Sequence, residues 1–434
     1  MGRQPSTDVL PARGVSLTRG LKHLIHEHPI TSCTINNRFV QGKNMMKSIK
    51  VLAFAAAMLT AGASHAQEEL KIGAIGPLSG GGTAWGLALQ RGVQMAFDEV
   101  KAAGGLKVGD KVYMPKLVMY DDKYTAAGGR AAADRLINAD NVKFIIGPIG
   151  SPSVLATVAA TTPAKTVLLS NGFAPQILKN DAKSPYNFRV VNSTVEFGPP
   201  MVKWFHDNFP QVKKVALIAP NDAVGQAIIP QLEAYYKANG FSVWTELYDR
   251  GTKEFTPLMA RMMAQNVDAL DLNSNAPGEG ALLLKQARQS GFKKPIWQIG
   301  GPAVDEMIEI AGPMAEGFIS LNVFDFSSPE AKKFVDGYRK EFGDGVINAQ
   351  APMWNNAAKI LMEAMRRAGT VTDANAVRDS LEKLEGYDAG LYGPVRWGGM
   401  GDYGVDHQLL MKFWMVKVQG GKQTVIQALD PVKH

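Results

Sequence analysis

Cysteine is almost missing from this chain, with Cys33 the only one in 434 residues. No internal disulfide can form, and no cysteine-based metal or redox motif is available. Beyond residue 66 the histidines are few (His206, His407 and His434), and nothing in their spacing resembles a metal-ligand set. Long apolar runs are lacking too: the stretch Val51 to Ala61 falls well short of the roughly 20 residues that cross a bilayer. No tract of Pro, Ser or like charge marks a flexible linker, and no short-period repeat suggests a solenoid. Neither G-x-x-x-x-G-K-[ST] nor G-x-S-x-G occurs, and Gly80, Gly81, Gly82 and Gly86 do not give the G-x-G-x-x-G spacing. A serine hydrolase would need a base, yet His206 sits in a helix beside Phe205 and His407 just before the last strands, neither with a partner in a strand-end loop. These absences point away from catalysis and from any cofactor or metal.

What is present begins with an address. Lys47 and Lys50 precede the apolar run, which ends at Ser64-His65-Ala66. A basic start, an apolar run of about 7 to 15 residues and an A-x-A-like end make a secretory signal peptide. Residues 46–66 are therefore read as the signal, with cleavage after Ala66, and 1–45 as a non-native upstream extension. No Cys follows the run, so a free periplasmic protein is expected rather than a lipid-anchored one. The formal charge of +7 is misleading, because eight of the 47 Lys and Arg but only two of the 40 Asp and Glu precede Gln67. The remainder is close to neutral, which gives no reason to expect nucleic acid as a partner.

From Gln67 onward the chain exceeds the roughly 250–300 residues at which a single core stops growing, so two lobes are expected. Three times an apolar run stops at a loop of small residues and a helical pattern follows: LKIGAI before PLSGGGTAWG, VKFIIG before PIGSPS, and TVLLS before NGFAP. Strands are expected at 70–75, 115–120, 143–147 and 166–170, with helices near 84–102, 125–138 and 151–160. The alternation resumes at 214–219, 241–247, 267–272 and 295–300 with helices near 196–208, 225–239, 254–264 and 279–290. It implies parallel sheets covered on both faces. A return crossing at 317–324, helices at 329–342, 353–368 and 373–384, and a C-terminal hairpin turning at Gly420-Gly421 complete the pattern. In open parallel sheets, ligands sit at the carboxyl ends of adjacent strands, where small residues leave amides bare. Ser151 followed by Pro152 reads as a helix cap with proline at the first helical position, a corner suited to an anion.

The run LKIGAIGPLSGGGTAWGLALQRGVQMAFDEV, followed by GGL, YDDKYTAAGGRAAADRLI, FIIGPIGSPS and EGALLLKQARQSGF, resembles the extracytoplasmic solute-binding proteins of the branched-chain amino acid type, the soluble receptors of ABC uptake systems. The resemblance covers essentially all of 68–434. It implies a type I periplasmic binding protein fold, α/β, with two Rossmann-like lobes joined by a three-crossover hinge: 68–190 with 323–403, and 191–322 with 404–434. By the same resemblance a ligand's carboxylate meets Gly150 and Ser151 together with Gly172, Phe173 and Ala174, and Trp85 lies over its tail. On the second lobe the match weakens. Val224 stands near a tyrosine of the relatives, Asn275 where a second aromatic is common, and Gly300-Gly301 where an acidic residue receives the ammonium; Ala174 replaces a hydroxyl-bearing residue. Either Asp222 or Asp305 serves instead, or the ligand lacks an α-amine.

Several readings follow. A monomeric substrate-binding component captures a carboxylate-bearing solute, an amino acid or an organic or aromatic acid, and delivers it to an inner-membrane permease. The alternative is a periplasmic sensor for amides, urea or organic acids, and, behind it, a secreted hydrolase. In the expected mechanism the ligand first meets Trp85, Ser151 and Gly172 to Ala174, and the loops at Asn221 to Val224, Asn273 to Pro277 and Gly300 to Pro302 then close over it. Each single residue also has a plainer role: Ser151 as a cap, Trp85 as core, Asp222 as a turn-forming Asx residue.

Overall fold

The computed structural model describes residues 67–179, 185–273, 275–301, 303–343 and 347–432. The expected signal peptide and the extension before it lie outside these residues, as do Cys33 and His434.

The first lobe is a sheet of eight strands. Glu68–Gly76 (β1), Leu106–Val108 (β2), Lys111–Asp121 (β3), Phe144–Ile149 (β4), Val167–Asn171 (β5) and Asn187–Arg189 (β6) alternate with the helices Thr83–Ala102 (α1), Ala126–Asn138 (α2) and Ser151–Thr161 (α3). The second lobe opens with Thr194–Asn208 (α4) and continues through Lys214–Pro220 (β7), Ala223–Ala238 (α5), Ser242–Tyr248 (β8), Thr256–Ala264 (α6), Ala269–Asp271 (β9), Pro277–Gln289 (α7), Ile296–Trp297 (β10), Val304–Ala311 (α8) and Ile319–Asn322 (β11). Pro329–Phe342 (α9), Gln350–Ala368 (α10), Ala374–Glu382 (α11), Trp397–Gly398 (β12), Met400–Tyr403 (α12) and Gln408–Leu409 (β13) follow, and Phe413–Gln419 (β14) with Lys422–Leu429 (β15) ends the chain.

The sheets run β12-β13-β6-β5-β4-β1-β3-β2 and β15-β14-β11-β10-β9-β7-β8. Both centres are parallel, which is why runs such as Phe144–Ile149 are apolar throughout and buried at every position. The β14–β15 hairpin turns at Gly420 and Gly421 with φ of 58° and 71°, values that only glycine-like residues adopt freely.

The chain passes between the sheets three times, at 190–193, 323–328 and 410–412. Gln408 pairs in parallel with Arg189, its side-chain amide donates to the Val191 carbonyl at 2.8 Å, and its Oε1 accepts from Arg189 Nε. These bonds keep 404–409 on the first sheet and move the boundary expected at 403/404 past Leu409. The short strands β2, β6, β12 and β13 were not anticipated, because two- or three-residue strands carry no periodicity of their own; nor were the helices α8 and α12. Within the hinge, Asn192 and Met411 exchange two hydrogen bonds, side-chain amide to carbonyl and amide to Oδ1.

In the first lobe α1 lies hard against α10. A Cβ on Gly92 would stand 2.0 Å from the Ala351 carbonyl oxygen, so glycine sets the approach of the two helices. Gly92→Ala is expected to lower the unfolding free energy by about 1–3 kcal/mol through overpacking, measured as a lower urea midpoint at unchanged slope; an unaltered midpoint would refute the contact.

Candidate functional site

Strands β3, β1, β4 and β5 are neighbours and parallel, so their carboxyl ends open on one edge of the first sheet. β4 ends in Gly150 at φ 92° and ψ 132°, and this residue, not Ser151, caps α3. A side chain there would sit 2.5 Å from the Tyr124 ring. Ser151 is thereby the first helical residue and Pro152 the second, which corrects the cap expected at Ser151. The fully buried Ser151 hydroxyl reaches across to the next loop instead, where its Oγ accepts the amide hydrogens of Phe173 and Ala174, each at 3.0 Å. A hydroxyl that accepts twice still has its own hydrogen to give. The Ser151 amide, in the first turn of the helix, has no intrahelical acceptor.

These turns wall a small cavity. Gly150, Ser151 and Gly172 form its polar end; Trp85, Tyr124 and Phe173 are its aromatic walls; Ile149, Val224 and Gly301 close it, the last two from the second lobe. Asn171 and Gln350 complete the lining. Their orientation follows from an indole. Trp354 Nε1 can only donate and does so to Gln350 Oε1 at 3.0 Å, so the same oxygen accepts Asn171 Nδ2 at 3.1 Å. Gln350 Nε2 is left as a donor and Asn171 Oδ1 as an acceptor, neither with a partner among the described residues.

The sign of the chamber can be read from this inventory. Among the described residues, donors without a protein acceptor are the Ser151 hydroxyl and amide, Gln350 Nε2, the Tyr124 phenol and the buried Trp85 Nε1; against them stand two free side-chain acceptors, Asn171 Oδ1 and the Tyr124 oxygen. Burial pushes the Tyr124 phenol well above its ordinary pKa, so it keeps its proton. Among the described residues, no Asp, Glu, Lys or Arg lines the wall. The nearest cation, Arg250, lies 4.6 Å over the Tyr124 ring and is matched by Asp222 at 2.6 Å and Glu279 at 2.7 Å. Such a surface suits a small anion with an apolar body.

The model of the periplasmic binding protein family matches residues 69–423. The chain belongs to that family. This periplasmic binding protein is 27% identical over 369 residues to the Leu/Ile/Val-binding protein BraC3 of Rhizobium johnstonii, with 82% of the chain and 94% of the relative covered. Its fold matches the leucine-binding protein LivK of Thermotoga maritima (TM-score 0.73, 24% identity, 83% of this chain and 99% of that one). It matches equally an ABC-transporter solute-binding protein of R. palustris solved with benzoate (TM-score 0.73, 19% identity, 84% and 98%). The architecture is the type I periplasmic binding protein fold, as the motif order implies.

Seven of the residues singled out in the sequence of this binding protein meet at the chamber: Trp85, Gly150, Ser151, Gly172, Phe173, Val224 and Gly301. Three do not. The Ala174 amide is taken by Ser151 and its carbonyl faces Arg189. Asp222 caps α5 through the Val224 and Gly225 amides and pairs with Arg250, the Asx role weighed for it. Asn275 is spent on the Ile218 carbonyl at 2.9 Å and on Tyr248 Oη. Asp305, the other acid considered for an ammonium, accepts from Gln423 at 2.9 Å and lies off the wall. Tyr124, Ile149, Asn171 and Gln350 were missed. For Tyr124 a signal existed: it follows β3, another strand ending on the same edge. The histidines are held structurally, His407 between the Asn187 carbonyl and Glu382 and His206 on Asp207. Among the described residues no cluster of three or more His, Cys, Asp or Glu could hold a metal.

Ser151→Ala strips the acceptor from two buried amides. It is expected to cost about 1–3 kcal/mol of stability, seen as a lower urea midpoint, alongside any loss of ligand; full stability would show that the hydroxyl does not clamp the 173–174 loop.

Proposed function

We propose that this chain is the substrate-binding component of an ABC uptake system, exported to the periplasm by the signal at 46–66, that closes on a small carboxylic acid and passes it unaltered to an inner-membrane permease. The observation that carries the choice of ligand is the donor-rich, uncharged chamber. A carboxylate set against the Ser151 amide and hydroxyl receives charge-assisted bonds of roughly 1.5–3 kcal/mol each and the favourable end of the α3 dipole. The aromatic walls of Trp85, Tyr124 and Phe173 fit a flat or branched apolar body. An α-ammonium, by contrast, finds no carboxylate. Buried without one, it costs several kcal/mol.

Relatives named for leucine, isoleucine and valine and a fold neighbour holding benzoate bracket the ligand class. Within it, the lining favours aromatic or branched acids without an amine over amino acids. Capture works through both lobes: the first supplies the polar end, the second the lid at Val224 and Gly301. A ligand that touched only one lobe would bind without shifting the equilibrium toward closure.

Calorimetry of the purified protein is expected to show binding of benzoate or a branched aliphatic acid and little binding of leucine. Tight leucine binding with no response to any acid refutes the ligand class. Tyr124→Phe removes a phenol that no protein group uses, so stability is expected to stay unchanged while affinity for the acid drops by roughly 10- to 150-fold; equal affinity would remove Tyr124 from the site.

A further inference from the structure

Outside the chamber, one acidic side chain is sealed where the lobes meet. Glu306, on α8 of the second lobe, is 3% exposed. Its Oε1 accepts a hydrogen from Nδ2 of Asn348, just before α10 in the first lobe. The same amide nitrogen donates to the Ala84 carbonyl of α1 at 3.1 Å, so the group that holds the acid is itself anchored in the first lobe. Glu306 Oε2 has no partner. The residue borders a second cavity at the rim of the cleft, shared with Gly81, Lys253, Glu279 and Glu309.

A negative charge at that point has the Asn348 amide and the first turn of α8 on its side, but no cation paired with it. On its own helix the neighbours Asp305 and Glu309 are acidic and repel it. From α7, Glu279 faces the same cavity but is held by Arg250 and the Gly251 amide. Lys253, from the loop before α6, borders the cavity without an ion pair to Glu306, and Arg339 of α9 bears on Asp305. From the first lobe, Asn348 bonds to Glu306 and Ala84 borders the same cavity, and both are uncharged. Burial dominates and pushes the Glu306 carboxyl up to about 8, and the Asn348 bond does not offset it.

We infer that Glu306 is a protonated latch: bringing the second lobe onto the first takes one proton from solvent onto Glu306, and opening returns it, so that ligand capture is linked to proton uptake. The inference rests on the reading that the lobes close around a ligand. With the lobes apart, the carboxyl faces water and ionises near its ordinary value of about 4.3. With the lobes together it is neutral, Oε1 accepting from Asn348 and Oε2 carrying the proton. A carboxyl raised in the closed form favours that form at low pH, and the advantage fades as pH rises toward 8. Glu306 thus acts as a positioning residue, on closure rather than on the ligand. Asp305, also raised by burial, to about 6, bonds to Gln423 within its own lobe and serves as the control.

The test pairs two measurements between about pH 5.5 and 8. Small-angle scattering without ligand is expected to show more compact dimensions as pH falls. Calorimetry with benzoate, in buffers of different ionisation enthalpy, is expected to show proton uptake and an affinity that weakens by up to about tenfold per pH unit. Glu306→Gln, an isostere of the neutral acid, keeps the Asn348 contact and is expected to lose both dependences while binding at high pH as the wild type does at low pH. Asp305→Asn should keep both. Flat wild-type scattering together with a flat benzoate profile, or a Glu306→Gln variant with the wild-type slope, overturns the latch. If neither benzoate nor leucine binds, the ligand proposal fails separately, and the scattering series alone decides: flat dimensions reject the latch and pH-dependent ones support it.

Discussion

Ser151 Oγ accepts two amide hydrogens from the loop after β5 while its own helix is capped by Gly150, and the binding face takes its form from that arrangement. The bond ties the start of α3 to the Phe173–Ala174 backbone, so the two turns that form the polar end of the chamber cannot drift apart. It also fixes the direction of the serine proton, since both lone pairs are in use. Trp354 does the same for Gln350 and, through it, for Asn171. The chamber is therefore polarised toward donation before any solute arrives, which is preorganisation in the sense that lowers the cost of binding.

Much of this was legible in the residues because parallel sheets announce themselves. Continuous apolar runs ending in small residues placed β1, β4, β5 and β7 within about two residues of their observed bounds, and Gly420-Gly421 marked the hairpin. The site was read less completely. The rule that found the loops after β1, β4 and β5 applies equally after β3, where Lys123 and Tyr124 adopt φ of 54° and 59°; neither residue type advertises that backbone, and Tyr124 was passed over. Gln350 enters from the far side of the second crossing, a distance in sequence that no local pattern bridges.

Polar residues in the second lobe were over-read for a common reason. Asp222 and Asn275 sit in strand-end loops, where a ligand would be met, but such loops also have their own amides and carbonyls to satisfy. Asp222 answers two amides and Arg250; Asn275 answers two carbonyls and a phenol. What remains on the chamber wall from that side is Val224 and Gly301, so most of the polar lining comes from the first lobe.

Two of the three passages between the lobes, the first and the third, are laced to each other, Asn192 to Met411 and, at the strand ends beside them, Arg189 to Gln408. Strands joined in this way twist as one cable instead of bending separately. Any turn of one lobe on the other must carry these two strands together, while the passage at 323–328 is left to follow on its own.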